Sequence, residues 1–167
     1  MTLTEFSQLD TPKKKELLTK CCGAPTWVQR MISVSETTDI ALLENVAEEI
    51  WYECTEHDWR EAFEHHPKIG NIQSLKEKFA NTTDWASHEQ SGVESATDDV
   101  LVELTKANEA YEQKFGYIFI VCATGKSASQ MLAILKNRLP NAPAEEIKIA
   151  AKEQFAITKL RLQKLFL

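Results

Sequence analysis

Apolar residues recur along most of this chain at spacings of three and four, the interval that gathers side chains on one face of an α-helix. Two stripes are clearest: Ile40, Leu43, Val46, Ala47, Ile50 and Trp51, and later Val100, Leu101, Leu104, Ala107, Tyr111 and Phe115. Start and stop signals bracket such stripes. Asp10 or Thr11 caps a helix with Pro12 in its first turn, which runs through Leu17 and Leu18 to Cys22 and stops at Gly23. A short helix over about 25–32 carries Trp27, Val28, Met31 and Ile32, and 33–38 is a polar connection. Asp39 precedes the first stripe. Thr55, with Asp58 near the first turn, opens the helix that leads to His66.

Further on, Ser74 starts a short helix with Leu75, Phe79 and Ala80, and Thr82 or Thr83 opens a segment over 84–90 that ends before Gly92. The second stripe predicts a long helix over about 95–115 with Gly116 as its C-terminal stop. A helix over about 128–139 follows, and after Pro143 a last long helix reaches Leu165. Only Tyr117, Ile118, Phe119, Ile120, Val121, Cys122 and Ala123 form a β-like run. With no second such run to pair with, it reads as a short extended, buried connector. The expected architecture is all-α: one domain over 1–167, a bundle of roughly eight helices. Five Gly and five Pro in 167 residues are too few for the many tight turns of an all-β fold.

Composition narrows the partners. With 43% hydrophobic and 26% charged residues the chain reads as soluble and globular. A net charge of −6 without a long basic block argues against nucleic acid. The run at 117–123 is too short to span a bilayer, so no membrane is expected. The first seven residues lack the basic-then-apolar pattern of a secretory signal, and the final Lys164-Leu165-Phe166-Leu167 is no recognised peroxisomal address. A cytoplasmic location is the expectation. Cys21, Cys22, Cys54 and Cys122 form no CxxC pair, so reduced, buried thiols are expected rather than a zinc knuckle or redox dithiol.

Chemistry concentrates first at Trp59-Arg60-Glu61-Ala62-Phe63-Glu64-His65-His66-Pro67-Lys68-Ile69-Gly70. Proline pushes the residue before it out of the helical region, so His66 should sit at a fixed corner with its imidazole aimed by the turn. A ring held there, titrating near neutrality, suits a general acid or base. Taken alone, however, the stretch favours an ordinary helix-end histidine interacting with the helix dipole. Neighbouring rings point about 100° apart, so His65 and His66 rarely share a ligand, and HHP is not a zinc spacing. No metal site is expected. Glu89 and Gln90 offer a carboxylate acceptor and a two-faced amide suited to a flat, nitrogen-rich substrate, although an isolated pair is more often a solvated turn. The backbone of Phe119 to Ala123, unsatisfied by any helix, must find water, side chains or a ligand. Lys126 either meets an anion or is exposed. Arg161, between Leu160 and Leu162, is either a buried anion partner or an ordinary salt bridge.

Taken in order, these pieces resemble the OHCU decarboxylases (2-oxo-4-hydroxy-4-carboxy-5-ureidoimidazoline decarboxylases), late enzymes of urate breakdown. The matching residues are Cys22-Gly23 with Trp27, then 63–70, Trp85-Ala86-Ser87-His88-Glu89-Gln90, and 115–123. The tail Glu153-Gln154 with Ile157, Leu160, Arg161 and Leu162 also fits. The resemblance spans nearly the whole chain; each motif is weak and the ordered set is strong. It implies an all-α homodimer without metal or organic cofactor, converting the ureidoimidazoline substrate to (S)-allantoin. It implies His66 as the catalytic proton donor and Glu89 as its polar partner. Substrate contacts would come from Pro67, from Ala86, Ser87, His88, Glu89 and Gln90, from Phe119, Ile120, Val121, Cys122 and Ala123, and from Arg161. The chain departs from the family in lacking both a terminal peroxisomal signal and an Arg-Pro-Phe sequence after Ile32. The first departure implies a bacterial-type cytoplasmic enzyme, and the second leaves the local shape near that helix open. Rival readings are a non-catalytic helical dimerisation or interaction module, a divergent decarboxylase of a related ureido acid, and a metal hydrolase using His65, His66 and Glu89.

Overall fold

Helices start where a short polar side chain, or a proline that lacks the hydrogen in question, deals with the amides that a first turn leaves unbonded. The computed structural model of the chain describes residues 1–34, 39–67 and 98–166. Within them lie α1 (Leu3–Ser7), α2 (Thr11–Cys21), α3 (Pro25–Ile32), α4 (Ile40–Glu53), α5 (Glu56–Glu64), α6 (Asp98–Phe115), α7 (Ala128–Arg138) and α8 (Pro143–Leu165). Asp10 caps α2 by accepting from the Lys13 N–H, and Asp39 caps α4 through the Ala41 N–H. Thr55 with Asp58, and Ser127 with Gln130, form reciprocal capping boxes on α5 and α7. Among the described residues the fold is all-α, as the periodicity predicts.

Two units each cohere internally, Met1–His66 with Ile147–Leu167, and Pro67–Glu146. In the first, α2 packs on α3, and α3 on α4 and α5. Its core is pegged by indoles that are both buried and bonded. Trp27, wholly buried, donates its Nε1–H to the Ala47 carbonyl at 3.0 Å, and Trp51 donates to Ala151 at 2.9 Å. Burying one such side chain removes ~150–250 Å² from water, roughly 4–6 kcal/mol of transfer free energy, while the hydrogen bond cancels the polar penalty. In the second unit α6 packs on α7, and Tyr111 stacks among Phe115, Tyr117 and Phe119.

Two expectations are refined and a third is met. A first helix, α1, stands where none is expected; Thr2 and Glu5 close a capping box around it. Helix α5 ends at Glu64, so His65 is its C-cap and His66 already lies beyond it. Residues 118–123 belong to neither helix nor strand, which matches the expected connector. The expected helix from Ser74 and the segment over 84–90 lie outside the described residues, as does the start of the helix expected from about 95.

Candidate active site

The corner at His66 is built by backbone bonds of the shorter, 3₁₀ kind. The His65 N–H donates to Ala62 at 3.3 Å and the His66 N–H to Phe63 at 3.1 Å, which tightens the last turn before Pro67 ends it. The two rings then part company. His65 is exposed and its ring lies against Gly23. A methyl group on Gly23 would come within 2.3 Å of the His65 Cγ and Cδ2, so this approach of the α2–α3 turn to the end of α5 needs a glycine. His66 is half-buried, and its Nε2 lies 2.6 Å from Oε1 of Gln154 on α8.

Gln154 itself is wholly buried. Its Nε2 donates to Thr158 Oγ1 at 3.3 Å, and the Thr158 hydroxyl donates to the Gln154 backbone carbonyl at 3.1 Å. Burial pushes the nearby Cys22 thiol up to about 12, against smaller opposing effects from Ala24 and Thr158. Cys22 is therefore a neutral thiol, not a nucleophile. Burial likewise raises Cys21 and Cys54 to about 11.

Periodicity alone does not single out Gln154, which enters the sequence reading only within a longer matching stretch. A signal was present: past the buried Glu146, α8 buries Ile147, Ala150, Ala151, Phe155 and Leu162, and with them the polar Gln154 and Thr158, which stand four apart. Buried polar groups need partners, and two of them on one turn mark a network.

Arg161 is half-buried, and among the described residues it stands in no ion pair. Its Nη1 donates to the Lys20 and Cys21 carbonyls, both at 3.3 Å, so it caps the C-terminus of α2. Lys126 is half-buried and donates to the Cys122 carbonyl at 2.7 Å rather than standing exposed.

The connector is held from one side by the second unit's buried ion pair. Arg138 donates from Nη1 to the Ile120 carbonyl at 2.8 Å and from Nε to Glu146 Oε1 at 2.7 Å, with its guanidinium over the Phe119 ring. Glu146 Oε1 also accepts from Tyr111 Oη at 2.5 Å, and Oε2 from Asn141 Nδ2 at 2.8 Å. Burial first, and then the bond to Glu146, push the Tyr111 phenol far above its ordinary range. Phe119 and Ile120 are buried, while Val121, Cys122 and Ala123 are half-buried. The unbonded backbone that the sequence raises as a problem is thus answered at Ile120 and Cys122 by Arg138 and Lys126.

Ala86, Ser87, His88, Glu89 and Gln90 lie outside the described residues. Among the described ones, His57, Asp58 and Glu61 bring one ligand atom each within 4.8 Å of one another. The Asp58 carboxylate is already engaged by the Thr55 N–H and hydroxyl, at 2.8 and 2.7 Å, and His57 is exposed, so this is a cap on α5 rather than a metal centre. No helix of the described residues is long and apolar enough to cross a membrane.

Comparison with known proteins places these features in context. The family model described as OHCU decarboxylase matches residues 7–163. The "Uric acid degradation bifunctional protein TTL" of Arabidopsis thaliana is 38% identical over 149 residues, covering 87% of this chain and 45% of that protein. The 2-oxo-4-hydroxy-4-carboxy-5-ureidoimidazoline decarboxylase of Amia calva is 29% identical over 98 residues, covering 59% of this chain and 55% of that protein. The chain thus spans about half the length of these curated relatives. A crystal structure of an OHCU decarboxylase in the presence of (S)-allantoin superposes with a TM-score of 0.74 at 35% identity, covering 91% of this chain and 97% of that one.

Proposed function

The chain belongs to the OHCU decarboxylase family, and on that footing we propose that it removes CO₂ from 2-oxo-4-hydroxy-4-carboxy-5-ureidoimidazoline to give (S)-allantoin. The observation that carries the site assignment is the half-buried His66 imidazole, fixed at a proline corner and bonded to a wholly buried glutamine. Such a ring has a defined direction and a defined partner, which proton transfer to one face of a substrate requires.

The substrate bears its carboxylate and hydroxyl on one ring carbon, next to an imine carbon that carries the ureido group. When the bond to CO₂ breaks, its electron pair forms a carbon–carbon double bond while the imine pair moves to nitrogen, which takes a proton. The hydroxyl then loses its proton and becomes the carbonyl, and the ureido-bearing carbon gains one. Net, one proton replaces one CO₂. The imine is the electron sink, so the chemistry needs no borrowed sink such as pyridoxal phosphate. In this reading His66 takes the hydroxyl proton or delivers the one to carbon, and Glu89 orients the ring or the hydroxyl. Gln90, Pro67, Ala86, Ser87 and His88, the backbone of Phe119, Ile120, Val121, Cys122 and Ala123, and Arg161 serve substrate binding. The same reading takes 1–167 as one domain that works as a cytoplasmic homodimer.

The test couples the protein to urate, urate oxidase and hydroxyisourate hydrolase and follows optically active allantoin by circular dichroism. The wild type should form it faster than the blank, which yields a racemate. A well-placed acid–base group is worth about 10²- to 10⁴-fold in rate, so His66→Asn should lose that much with its helical spectrum unchanged. Full activity in that variant refutes the assignment.

A further inference from the structure

We propose that Gln154 sets the tautomer of His66, holding the hydrogen on Nε2 and leaving Nδ1 as the nitrogen that exchanges the catalytic proton. The catalytic half of this statement rests on His66 being the acid–base group; the tautomer half does not.

Thr158 lies in the interior of α8. Its hydroxyl has one hydrogen, and that hydrogen goes to the carbonyl of residue 154, four positions back, the usual bond of a helical threonine. Toward Gln154 Nε2 the same oxygen can then act only as an acceptor. With no hydrogen left on Thr158 to give, the amide of Gln154 can only point its NH₂ at Thr158. A reversed amide would set carbonyl oxygen against hydroxyl oxygen in a wholly buried place, where an unsatisfied polar group costs ~1–3 kcal/mol.

The carbonyl oxygen of Gln154 therefore faces His66 at 2.6 Å. A carbonyl accepts and cannot donate, so Nε2 must carry the hydrogen in both the neutral and the protonated ring. In the neutral ring Nδ1 is then the basic nitrogen. The chain of orientation runs from a helical threonine through a buried amide to the ring, the role a carboxylate plays in many acid–base sites. Gln154 is on this account a positioning residue.

The test is nitrogen NMR of the ¹⁵N-histidine-labelled full chain, with His66 assigned from the signals lost in His66→Asn. Titrated to the neutral ring, the wild type should show a pyrrole-type shift at Nε2 and a pyridine-type shift at Nδ1. Gln154→Leu, which fills the space without an acceptor, should shift the ring towards the other tautomer. Its kcat should fall about 10- to 100-fold, the usual cost of removing an orienting partner, while KM moves much less. Gln154→Glu, which restores an acceptor, should keep hydrogen on Nε2. A pyridine-type Nε2 in the wild type overturns the proposal, as does an unchanged tautomer in Gln154→Leu. If Gln154→Leu fails to fold, the wild-type and Gln154→Glu spectra still decide. Failure of the decarboxylase reading is distinguishable, because it shows as an active His66→Asn or absent turnover, whatever the tautomer.

Discussion

Glu146→Leu should be among the most damaging single changes outside the His66 corner. Glu146 is wholly buried and Arg138 nearly so, and the carboxylate closes three bonds at once: with Arg138, Tyr111 and Asn141. Leucine matches the volume but leaves the guanidinium buried without its counter-charge. Breaking a buried pair from one side costs about 3–5 kcal/mol. The stranded Tyr111 hydroxyl adds roughly 1–2 kcal/mol, whereas Asn141, half-buried, can turn to water. Roughly 4–7 kcal/mol is a large part of the ~5–15 kcal/mol that holds a domain together. Urea unfolding followed by circular dichroism measures it. With a slope near ~2 kcal/mol per molar, the midpoint should fall by ~2–3.5 M. Glu146→Gln, which keeps an acceptor and loses only the charge, should fall less and remain measurable if the leucine variant does not fold. The control is Arg138→Met with Glu146→Leu, which removes both charges and should be more stable than Glu146→Leu alone. A loss under about 1 kcal/mol for Glu146→Leu, or a double variant no better than that single one, refutes the reasoning. Because Arg138 also holds the Ile120 carbonyl, the same variants should lose activity in proportion to how far the connector shifts.

Two further outcomes follow from ionisation. Burial works to raise the Asp58 carboxyl, but hydrogen bonds from Thr26 and Thr55 overcome it and leave Asp58 below its ordinary value of 3.8. A depressed acid contributes stability that is complete above the unfolded value and is lost as pH falls through the folded one. Asp58→Asn should therefore cost roughly 1–3 kcal/mol at neutral pH and flatten the decline below about pH 4; urea midpoints at pH 7 and pH 3 that drop in parallel with wild type would contradict this. Thiols raised to about 11 at Cys21 and Cys54 and about 12 at Cys22 hold only about one thiolate in a thousand to one in ten thousand at pH 8. Ellman's reagent should accordingly label Cys122 first in the folded protein and all four thiols in denaturant. Prompt labelling of a second thiol in the folded state would be the contrary result.

Helix existence and helix ends were legible in the sequence because their causes are local. Asp10, Asp39 and Thr55 bond amides two or three residues away, and Pro25 and Pro143 stand at the first positions of their helices. The stripes led by Leu43 and Leu101 bury as their spacing requires. The unforeseen α1 obeys the same rule through Thr2 and Glu5, but five residues carry too little periodicity to announce a helix. The corner at His66 was legible too, since proline at 67 forbids continuation whatever surrounds it.

What the sequence could not decide is which distant group completes each local feature. His66 meets a glutamine 88 positions away, Trp51 a carbonyl 100 positions away, and Arg161 the end of a helix 140 positions before it. Arg161 shows the difference most plainly: its sequence position offered an anion partner or a salt bridge, and the fold gave it two backbone carbonyls. The reason is physical. Capping and periodicity are set by bonds among residues a few positions apart, which the chain makes in any context. A buried polar group announces only that it must have a partner. Which partner it finds depends on helices being brought side by side by apolar burial, and burial has no direction of its own. By itself, then, the sequence determined the described helices apart from α1, the proline corner and the family, while the tertiary structure alone decided that His66 faces a buried amide and which of its nitrogens that amide engages.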